Sequence, residues 1–281
     1  MKQQINYIVS QLQGYYPDEE LRELAYWVAE EMTGLTRAEI LVGSTHTQQL
    51  SEQKLEPVLQ QLRAQLPVQY IFGHTLWNGL DLHVSPATLI PRPETAELVD
   101  WVLKVCDKNQ ALRVLDIGTG SGCIAIAIKK AAPQWQVTGL DISHEALIIA
   151  KQNAEQNEVD VNWIQGDILS SNSESLFSIP NIIISNPPYI CEREKAEMDS
   201  RVLDYEPHTA LFVPDNDPLL FYRRIASLAL DTETKTCLFF EINEAYGKEV
   251  CDMLEEMGYT NIQLKLDIYG KQRMVFGTIN G

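Results

Sequence analysis

Segments typical of β-strands alternate with segments typical of helices over residues 94–281. Strands are predicted at 112–116, 136–140, 161–165, 181–185, 236–241, 261–266 and 272–278, and helices near 121–131, 143–156, 217–230 and 246–257. Parallel neighbours in a sheet need a crossover connection, which is usually a helix, so this alternation favours parallel pairing. The pattern therefore predicts an α/β domain with a mainly parallel, seven-stranded sheet.

The N-terminal 66 residues show the spacing of amphipathic helices. Apolar residues such as Leu24 and Val28 recur three and four positions apart, which places them on one face of a helix. Thr36 is predicted to cap a second helix, with Glu39 at the capping-box position. A small helical bundle is therefore expected ahead of the α/β domain.

A third pattern, punctuated by glycine and proline, separates these two regions. Two short apolar runs, Gln69–Phe72 and Leu80–Val84, are predicted to belong to a β-hairpin. The expected organisation is a helical domain at 1–66, a β-hairpin linker at 67–93 and the α/β domain at 94–281.

The composition indicates a globular protein with a sizeable core and an acidic surface. Hydrophobic residues make up 45% of the 281, and the net charge is −17. Proteins that bind duplex nucleic acid normally carry a basic footprint, so this charge favours a small molecule or a basic protein as partner. No apolar run approaches the roughly 18 residues of a membrane helix, and the first residues lack a signal-peptide core. We expect a cytoplasmic protein that stably binds neither nucleic acid nor a membrane.

Cysteine and histidine are scattered. The five cysteines contain no Cys-x-x-Cys, and the five histidines are equally dispersed. Such spacing is typical of reduced thiols and gives no ligand set for zinc. Neither a disulfide framework nor a metal site is predicted.

A glycine-rich turn follows the first strand of the α/β domain. The sequence Asp116-Ile117-Gly118-Thr119-Gly120-Ser121-Gly122 leads directly into a predicted helix. Glycines let a ligand approach the backbone closely, and a helix N-terminus offers free N–H donors. Asp141 ends the next strand, where a carboxylate can accept hydrogen bonds from ribose hydroxyls. Together these features predict a nucleotide-type cofactor.

Two details favour S-adenosylmethionine over a dinucleotide. The spacing is Gly-x-Gly-x-Gly rather than Gly-x-Gly-x-x-Gly, and Asp116 precedes the first glycine, where its charge would repel a pyrophosphate. A sulfonium and an amino group suit this acid better. After the third strand, Asp167 can accept from the adenine amino group while Ile168 packs on the base. The predicted cofactor contacts are Asp116, Gly118, Thr119, Gly120, Ser121, Gly122, Asp141, Asp167, Ile168 and Asn186.

The fourth strand of the α/β domain ends in Asn186-Pro187-Pro188-Tyr189. Neither proline can donate a backbone hydrogen bond, so local carbonyls remain available as acceptors. The Asn186 amide oxygen and the Pro187 carbonyl are predicted to accept the two hydrogens of a planar NH2 group, and the Tyr189 ring to lie against it. The carboxyl ends of neighbouring parallel strands share one edge of a sheet, so this segment and the glycine turn should meet there.

With these motifs in view, the chain resembles the class I (Rossmann-like) S-adenosylmethionine-dependent methyltransferases. It is most similar to the release-factor glutamine methyltransferases, the PrmC/HemK type. The discriminating segment is Leu89-Ile90-Pro91-Arg92-Pro93-Glu94-Thr95, because Asn-Pro-Pro-Tyr alone also occurs in adenine-N6 DNA methyltransferases. Many members have an aromatic residue where this chain has Ile168, and their Glu-Ile-Gly is here Glu241-Ile242-Asn243.

The resemblance implies transfer of a methyl group from S-adenosylmethionine to the side-chain amide nitrogen (N5) of the glutamine in the Gly-Gly-Gln motif of peptide-chain release factors. It implies that Asn186 and Pro187 are catalytic, that Asn186, Pro187, Pro188 and Tyr189 bind the substrate, and that the helical domain helps to recognise it. Three alternatives remain open from the residues: an adenine-N6 nucleic-acid methyltransferase, a methyltransferase for another protein glutamine, and a nucleoside-binding module without enzymatic activity.

Overall fold

The structure, a computed structural model, describes residues 1–42, 50–230 and 233–279. The chain divides into two compact units. The first comprises Met1–Gly73 and Asp199–Tyr205, and the second comprises His74–Met198 and the residues from Glu206 onward. The predicted boundary after residue 66 is therefore corrected to Gly73, and the hairpin belongs to the second unit rather than forming a separate linker.

The first unit is helical, as its apolar spacing predicted. Its helices are α1 (Lys2–Leu12), α2 (Asp18–Thr33), α3 (Arg37–Val42), α4 (Glu52–Arg63) and α5 (Val68–Phe72), followed much later in the chain by α9 (Ser200–Tyr205). The capping box is confirmed, because Thr36 N–H donates to the Glu39 carboxylate (2.9 Å) and Glu39 N–H donates to Thr36 Oγ1 (3.3 Å). The core includes Ile8, Leu12, Leu55, Leu59 and Leu62.

Helix α9 joins this unit through side chains at both of its ends. Arg201 forms an ion pair with Glu20 (2.8 Å) and lies over the ring of Tyr16, 5.5 Å from its centroid. The hydroxyl of Tyr205 donates to the carbonyl of Ala64. A short segment from the second half of the sequence therefore completes the helical unit.

The prediction that Gln69–Phe72 lies in the hairpin was wrong, because Val68–Phe72 is a helix. Pro67 precedes this helix and Gly73 ends it at φ 76°, which are ordinary start and stop signals. Four residues are too few for apolar spacing to distinguish a strand from a helix. The hairpin instead pairs β1 (His74–Trp77) with β2 (Leu80–His83) around an Asn78-Gly79 turn with positive φ at both residues.

The second unit contains the predicted seven-stranded sheet. Its strands are β3 (Arg113–Ile117), β4 (Gln136–Asp141), β5 (Asn162–Gln165), β6 (Ile182–Ser185), β9 (Thr236–Glu241), β10 (Thr260–Leu266) and β11 (Gln272–Ile279), in the order β10-β11-β9-β6-β3-β4-β5. Pairing from β9 to β5 is parallel, and β11 is antiparallel to both of its neighbours. Each predicted strand is present, with ends displaced by at most one residue.

Helices cover both faces of this sheet. They are α6 (Pro93–Val105), α7 (Cys123–Ala131), α8 (His144–Gln156), α10 (Leu220–Ser227) and α11 (Gly247–Glu256). Helices α6, α7 and α8 contribute to the core on one face, and α10 and α11 contribute to the core on the other. Two short strands, β7 (Ile190–Cys191) and β8 (Phe212–Val213), pair outside the main sheet.

Burial on both faces explains the continuous apolar sequence of β6. Ile182 and Ile184 belong to one core and Ile183 to the other, and all three are buried. The strand thus carries Asn186, the residue after its end, on a rigid support. In the described residues, no helix has the length and apolar character needed to cross a membrane.

Candidate active site

A cavity of about 350 Å³ lies at the carboxyl ends of the parallel strands. The loops after β3, β4, β5 and β6 all contribute to its wall, which is where parallel α/β sheets bind ligands. Of the residues singled out from the sequence, those that line it are Gly118, Gly120, Asp141, Asp167, Ile168, Asn186, Pro187 and Pro188. The structure therefore brings the glycine turn and the Asn-Pro-Pro segment to one site.

The glycine turn presents only part of itself to the cavity. Gly118 and Gly120 line it, with φ of 72° and 54° that favour glycine. The backbone N–H of Gly118 donates to the Leu140 carbonyl (2.9 Å), which fixes the turn against β4. A Cβ on Gly122 would lie 2.9 Å from the Trp163 ring, and its φ is 81°, so packing and backbone conformation both explain this third glycine.

Thr119, Ser121 and Asp116 lie beneath the turn rather than in the cavity wall. Thr119 and Ser121 are buried, and the Thr119 hydroxyl donates to Asp116 Oδ2 at 2.5 Å. Asp116 is fully buried, and among the described residues its Oδ1 has no hydrogen-bond partner. Burial raises the pKa of Asp116 to about 7. A cationic group nearby would stabilise the charged form of this buried acid. Asp116 itself is not among the residues that line the cavity.

Asp141 occupies the predicted position at the end of β4. Its carboxylate accepts from the backbone N–H groups of Gly120 (2.8 Å) and Ser143 (2.9 Å). Burial raises its pKa above the usual range, although these two hydrogen bonds act in the opposite direction. One carboxylate thus holds the glycine turn in place and borders the cavity.

The residues after β5 form an adjoining wall with both polar and apolar groups. Asp167 is exposed and accepts from the Leu169 N–H at 2.8 Å. Ile168 is buried and lines the cavity together with Ile142 and Leu169. This wall matches what the flat, largely apolar face of a nucleobase requires.

Asn186 is held by one side of its amide. Its Nδ2 donates to Thr95 Oγ1 at 3.4 Å, and in the described chain no donor reaches Asn186 Oδ1 or the Pro187 carbonyl. Two acceptors without protein partners are therefore available where the tetrapeptide meets the cavity. Their binding of an NH2 group stays a prediction.

Tyr189 does not line this cavity. Its backbone N–H donates to the Leu211 carbonyl (3.2 Å), and its phenol donates to Glu241 Oε1 (3.3 Å). It borders a smaller cavity with Glu194, Asn243 and Arg273. The pairing of the chain after Pro188 with the segment at Leu211 explains why the ring departs from the expected position against the substrate amide.

Two ion-pair partners were not assigned a role from the sequence. Glu206, with a side chain only 1% exposed, forms an ion pair with Arg92 at 2.5 Å and accepts from the Ile90 N–H at 3.2 Å. Arg92 stands in the Leu89–Thr95 segment that carries the family resemblance, and this was the available signal. Leu89 and Pro207, next to these residues in sequence, line the cavity, so the ion pair ties two wall segments together.

Comparison with known proteins identifies the family to which the chain is similar. The family model of the methyltransferase small domain matches residues 99–204. A release factor glutamine methyltransferase from Bacteroides thetaiotaomicron is 44% identical over 96% of this chain and 96% of its own length. The corresponding protein of Flavobacterium psychrophilum is 43% identical over 95% of each chain.

A solved structure of a methyltransferase from Pyrococcus furiosus has the same fold. It covers 83% of this chain and 100% of its own, with 16% identity and a TM-score of 0.52. The second unit is accordingly a class I methyltransferase domain, as its sheet order indicates. On the identity and coverage of its relatives, the chain belongs to the release factor glutamine methyltransferase family.

Proposed function

We propose that this protein transfers a methyl group from S-adenosylmethionine to the side-chain amide nitrogen of a glutamine in peptide-chain release factors, the glutamine of their Gly-Gly-Gln motif. The proposal rests on two acceptors that have no partner among the described residues, Asn186 Oδ1 and the Pro187 carbonyl, beside a cavity that Gly118 and Asp141 also line. The names of the relatives agree with this substrate.

The residues of the cavity fit the methyl donor, S-adenosylmethionine. Asp141 can accept from ribose hydroxyls and Ile168 can pack on adenine. The glycines of the turn that line the cavity have no side chain to block the approach. Buried Asp116, whose Oδ1 has no partner among the described residues, lies beneath the turn, where a nearby cationic group would stabilise its charged form. When bound, the donor supplies an electrophilic methyl group on a sulfonium.

The two acceptors address the weak nucleophilicity of an amide nitrogen. Its lone pair is delocalised into the carbonyl, so attack must build positive charge on the NH2 group. Asn186 Oδ1 and the Pro187 carbonyl can each accept one N–H, which orients the nitrogen and stabilises this charge as it develops. The proton can leave after attack, and no general base is assigned.

Labelled S-adenosylmethionine, incubated with the protein and either a release factor or DNA, tests the proposal. We expect label in the release factor, and none when the glutamine of its Gly-Gly-Gln motif is replaced by alanine. Label in DNA alone would support an adenine-N6 methyltransferase instead. Label in the release factor whose Gly-Gly-Gln glutamine is replaced by alanine would indicate another target. The charge of −17 argues against DNA.

Asp141→Ala is expected to weaken S-adenosylmethionine binding by about 1–3 kcal/mol, because a charged hydrogen-bond partner is lost. Isothermal titration calorimetry measures this directly. Part of the loss will come from the glycine turn, whose Gly120 N–H also donates to Asp141. Asp160→Ala, at an exposed acid outside the cavity, is the matched control. Equal affinity of Asp141→Ala and wild type would remove Asp141 from the cofactor site.

The helical unit and the place of action complete the proposal. We assign substrate recognition to residues 1–66, extended to Gly73 by the structural boundary, and we place the protein in the cytoplasm, where release factors act. Substitution of a residue in this unit that contacts the release factor should raise the KM for the protein substrate and leave the affinity for S-adenosylmethionine unchanged.

A further inference from the structure

Glu241 is a buried carboxylate beside the catalytic segment. Parallel pairing of Ser185 with Phe240 places the next residues of the two strands, Asn186 and Glu241, side by side. The Glu241 side chain is buried, with only 1% of the residue exposed. It receives hydrogen bonds from the Thr95 hydroxyl to Oε2 (2.7 Å) and from the Tyr189 hydroxyl to Oε1 (3.3 Å).

Thr95 connects this carboxylate to Asn186. Its Oγ1 donates to Glu241 and accepts from Asn186 Nδ2 at 3.4 Å. A hydroxyl has a single proton, and an ionised carboxylate can only accept. Because the single hydroxyl proton of Thr95 is used in its hydrogen bond to Glu241, Thr95 can interact with Asn186 only as an acceptor.

The consequence concerns which end of the Asn186 amide faces the substrate. An amide has a donating and an accepting end, and either would fit a hydroxyl that was free to rotate. A Thr95 oxygen restricted to accepting selects Nδ2, so Oδ1 is left as the free end. A reversed amide would direct two N–H donors at the substrate NH2 group, which also donates.

We propose that Glu241 is a positioning residue for methyl transfer. Acting through Thr95, it fixes the orientation of the Asn186 side chain so that Oδ1 can accept from the substrate amide. This inference rests on the proposed function of Asn186. It also assigns a role to Thr95 in the Ile-Pro-Arg-Pro-Glu-Thr segment, which supplies the hydroxyl between the carboxylate and the amide.

Several ionisable groups influence Glu241. Arg273 on β11 and the phenol of Tyr189 favour its charged form, whereas Glu94 on α6 and burial favour the neutral form. Arg273 is itself paired with buried Asp267 at 3.1 Å. Burial raises the pKa values of Tyr222 and Cys123, and the Glu241 charge adds a smaller contribution in the same direction. Burial is the largest influence and raises the pKa of Glu241 above the usual range.

Three single variants and one double variant test the inference. Glu241→Gln keeps the shape but can donate to Thr95, and Thr95→Val keeps the shape but removes the hydroxyl. Each is expected to lower kcat by about 10-fold or more, less than the full loss of a preorganised contact. The double variant should be no slower than the slower single, because the residues act as one unit. Thr95→Ser restores the hydroxyl and should recover most of the activity.

The matched control is Glu249→Gln, at an exposed position on α11. S-adenosylmethionine affinity should remain close to wild type in all the variants, because neither Glu241 nor Thr95 lines the cavity. Thermal unfolding identifies any variant that fails to fold. If Glu241→Gln fails in this way, the comparison of Thr95→Val with Thr95→Ser decides the question.

A pH profile separates positioning from a purely structural role. A protonated Glu241 could donate to Thr95, so kcat at saturating cofactor should fall as pH falls through the Glu241 pKa. That fall should occur at a higher pH than for an ordinary exposed glutamate, and Glu241→Gln should lack it.

The outcomes distinguish this inference from the proposed function. If wild-type protein methylates no release factor, the proposed function fails. If wild type is active but Thr95→Val and Glu241→Gln keep its kcat, only the role of Glu241 is overturned. Reduced kcat with recovery in Thr95→Ser supports the role.

Discussion

Asn186→Ala is expected to lower turnover roughly 100-fold or more, the scale on which removal of one preorganised polar contact acts. The side chain donates through Nδ2 to Thr95 and leaves Oδ1 without a partner among the described residues. Alanine removes this acceptor, so the charge that develops on the substrate nitrogen keeps only the Pro187 carbonyl of the two proposed acceptors. Single-turnover kinetics with a release factor and saturating S-adenosylmethionine measure the effect.

Cofactor affinity provides the internal control for this variant. The carboxylate of Asp141 and the glycine turn remain in place, so the calorimetric Kd for S-adenosylmethionine should change much less than turnover. Asn109→Ala, at an exposed asparagine in the turn after α6, should match wild type in both measurements. Turnover of Asn186→Ala close to that of wild type would contradict the acceptor role.

Arg92→Met is expected to destabilise the protein by about 3 kcal/mol, because it leaves a buried carboxylate without its counter-charge. Among the described residues, Glu206, with its side chain 1% exposed, would keep the Ile90 N–H as its one remaining partner. Methionine preserves most of the apolar contact of the arginine side chain, so the loss reports mainly on charge. Urea denaturation of the full chain measures the change, provided that the slope with urea concentration is unchanged.

Two comparisons sharpen this second test. Arg223 pairs with Asp217 at 3.0 Å, but the arginine side chain is 50% exposed, so Arg223→Met should cost less than about 1 kcal/mol. The double variant Arg92→Met/Glu206→Met removes both charges and should recover much of the stability. Well-packed apolar side chains often stabilise a protein as much as the buried ion pair that they replace. If Arg92→Met and Arg223→Met lowered the free energy of unfolding equally, the buried Arg92–Glu206 pair would contribute no more to stability than the exposed Arg223–Asp217 pair.

The features that sequence predicted well are those set by neighbouring residues. The apolar run of β6 and the prolines that follow it two residues later are adjacent in the sequence, and so are the glycine turn and the strand before it. The acid that ends β4 is likewise recognisable from its own strand. Each strand end also brings its next residue to the same edge of the sheet. For this reason the sequence predicts that Gly118, Asp141 and Asn186 lie close together, and all three line the cavity.

Pairings between distant positions could not be predicted in this way. Thr95 and Glu241 are 146 residues apart, and Arg92 and Glu206 are 114 apart, so no local pattern links either pair. The Tyr189 ring was misplaced for a similar reason, since its direction depends on pairing with Leu211. Proximity of these groups follows from how distant segments come together in the folded chain, which no local pattern specifies.

The helical unit shows the same limit on a smaller scale. Its apolar spacing identified α2 and α4, whereas α9 could not be assigned to it from the sequence. Arg201 and Tyr205 reach residues that lie more than a hundred positions earlier. The roles of Ile168 against adenine and of Asp167 at its amino group remain predictions.

A crystal structure of the protein with S-adenosylhomocysteine and a release factor tests the central claim most directly. We predict that the nitrogen of the target glutamine lies about 3 Å from both Asn186 Oδ1 and the Pro187 carbonyl oxygen, within hydrogen-bond distance. The cofactor sulfur should lie on the open side of that nitrogen, next to the turn at Gly118. A glutamine amide bound away from Asn186, or a cofactor at the opposite end of the sheet, would contradict the account.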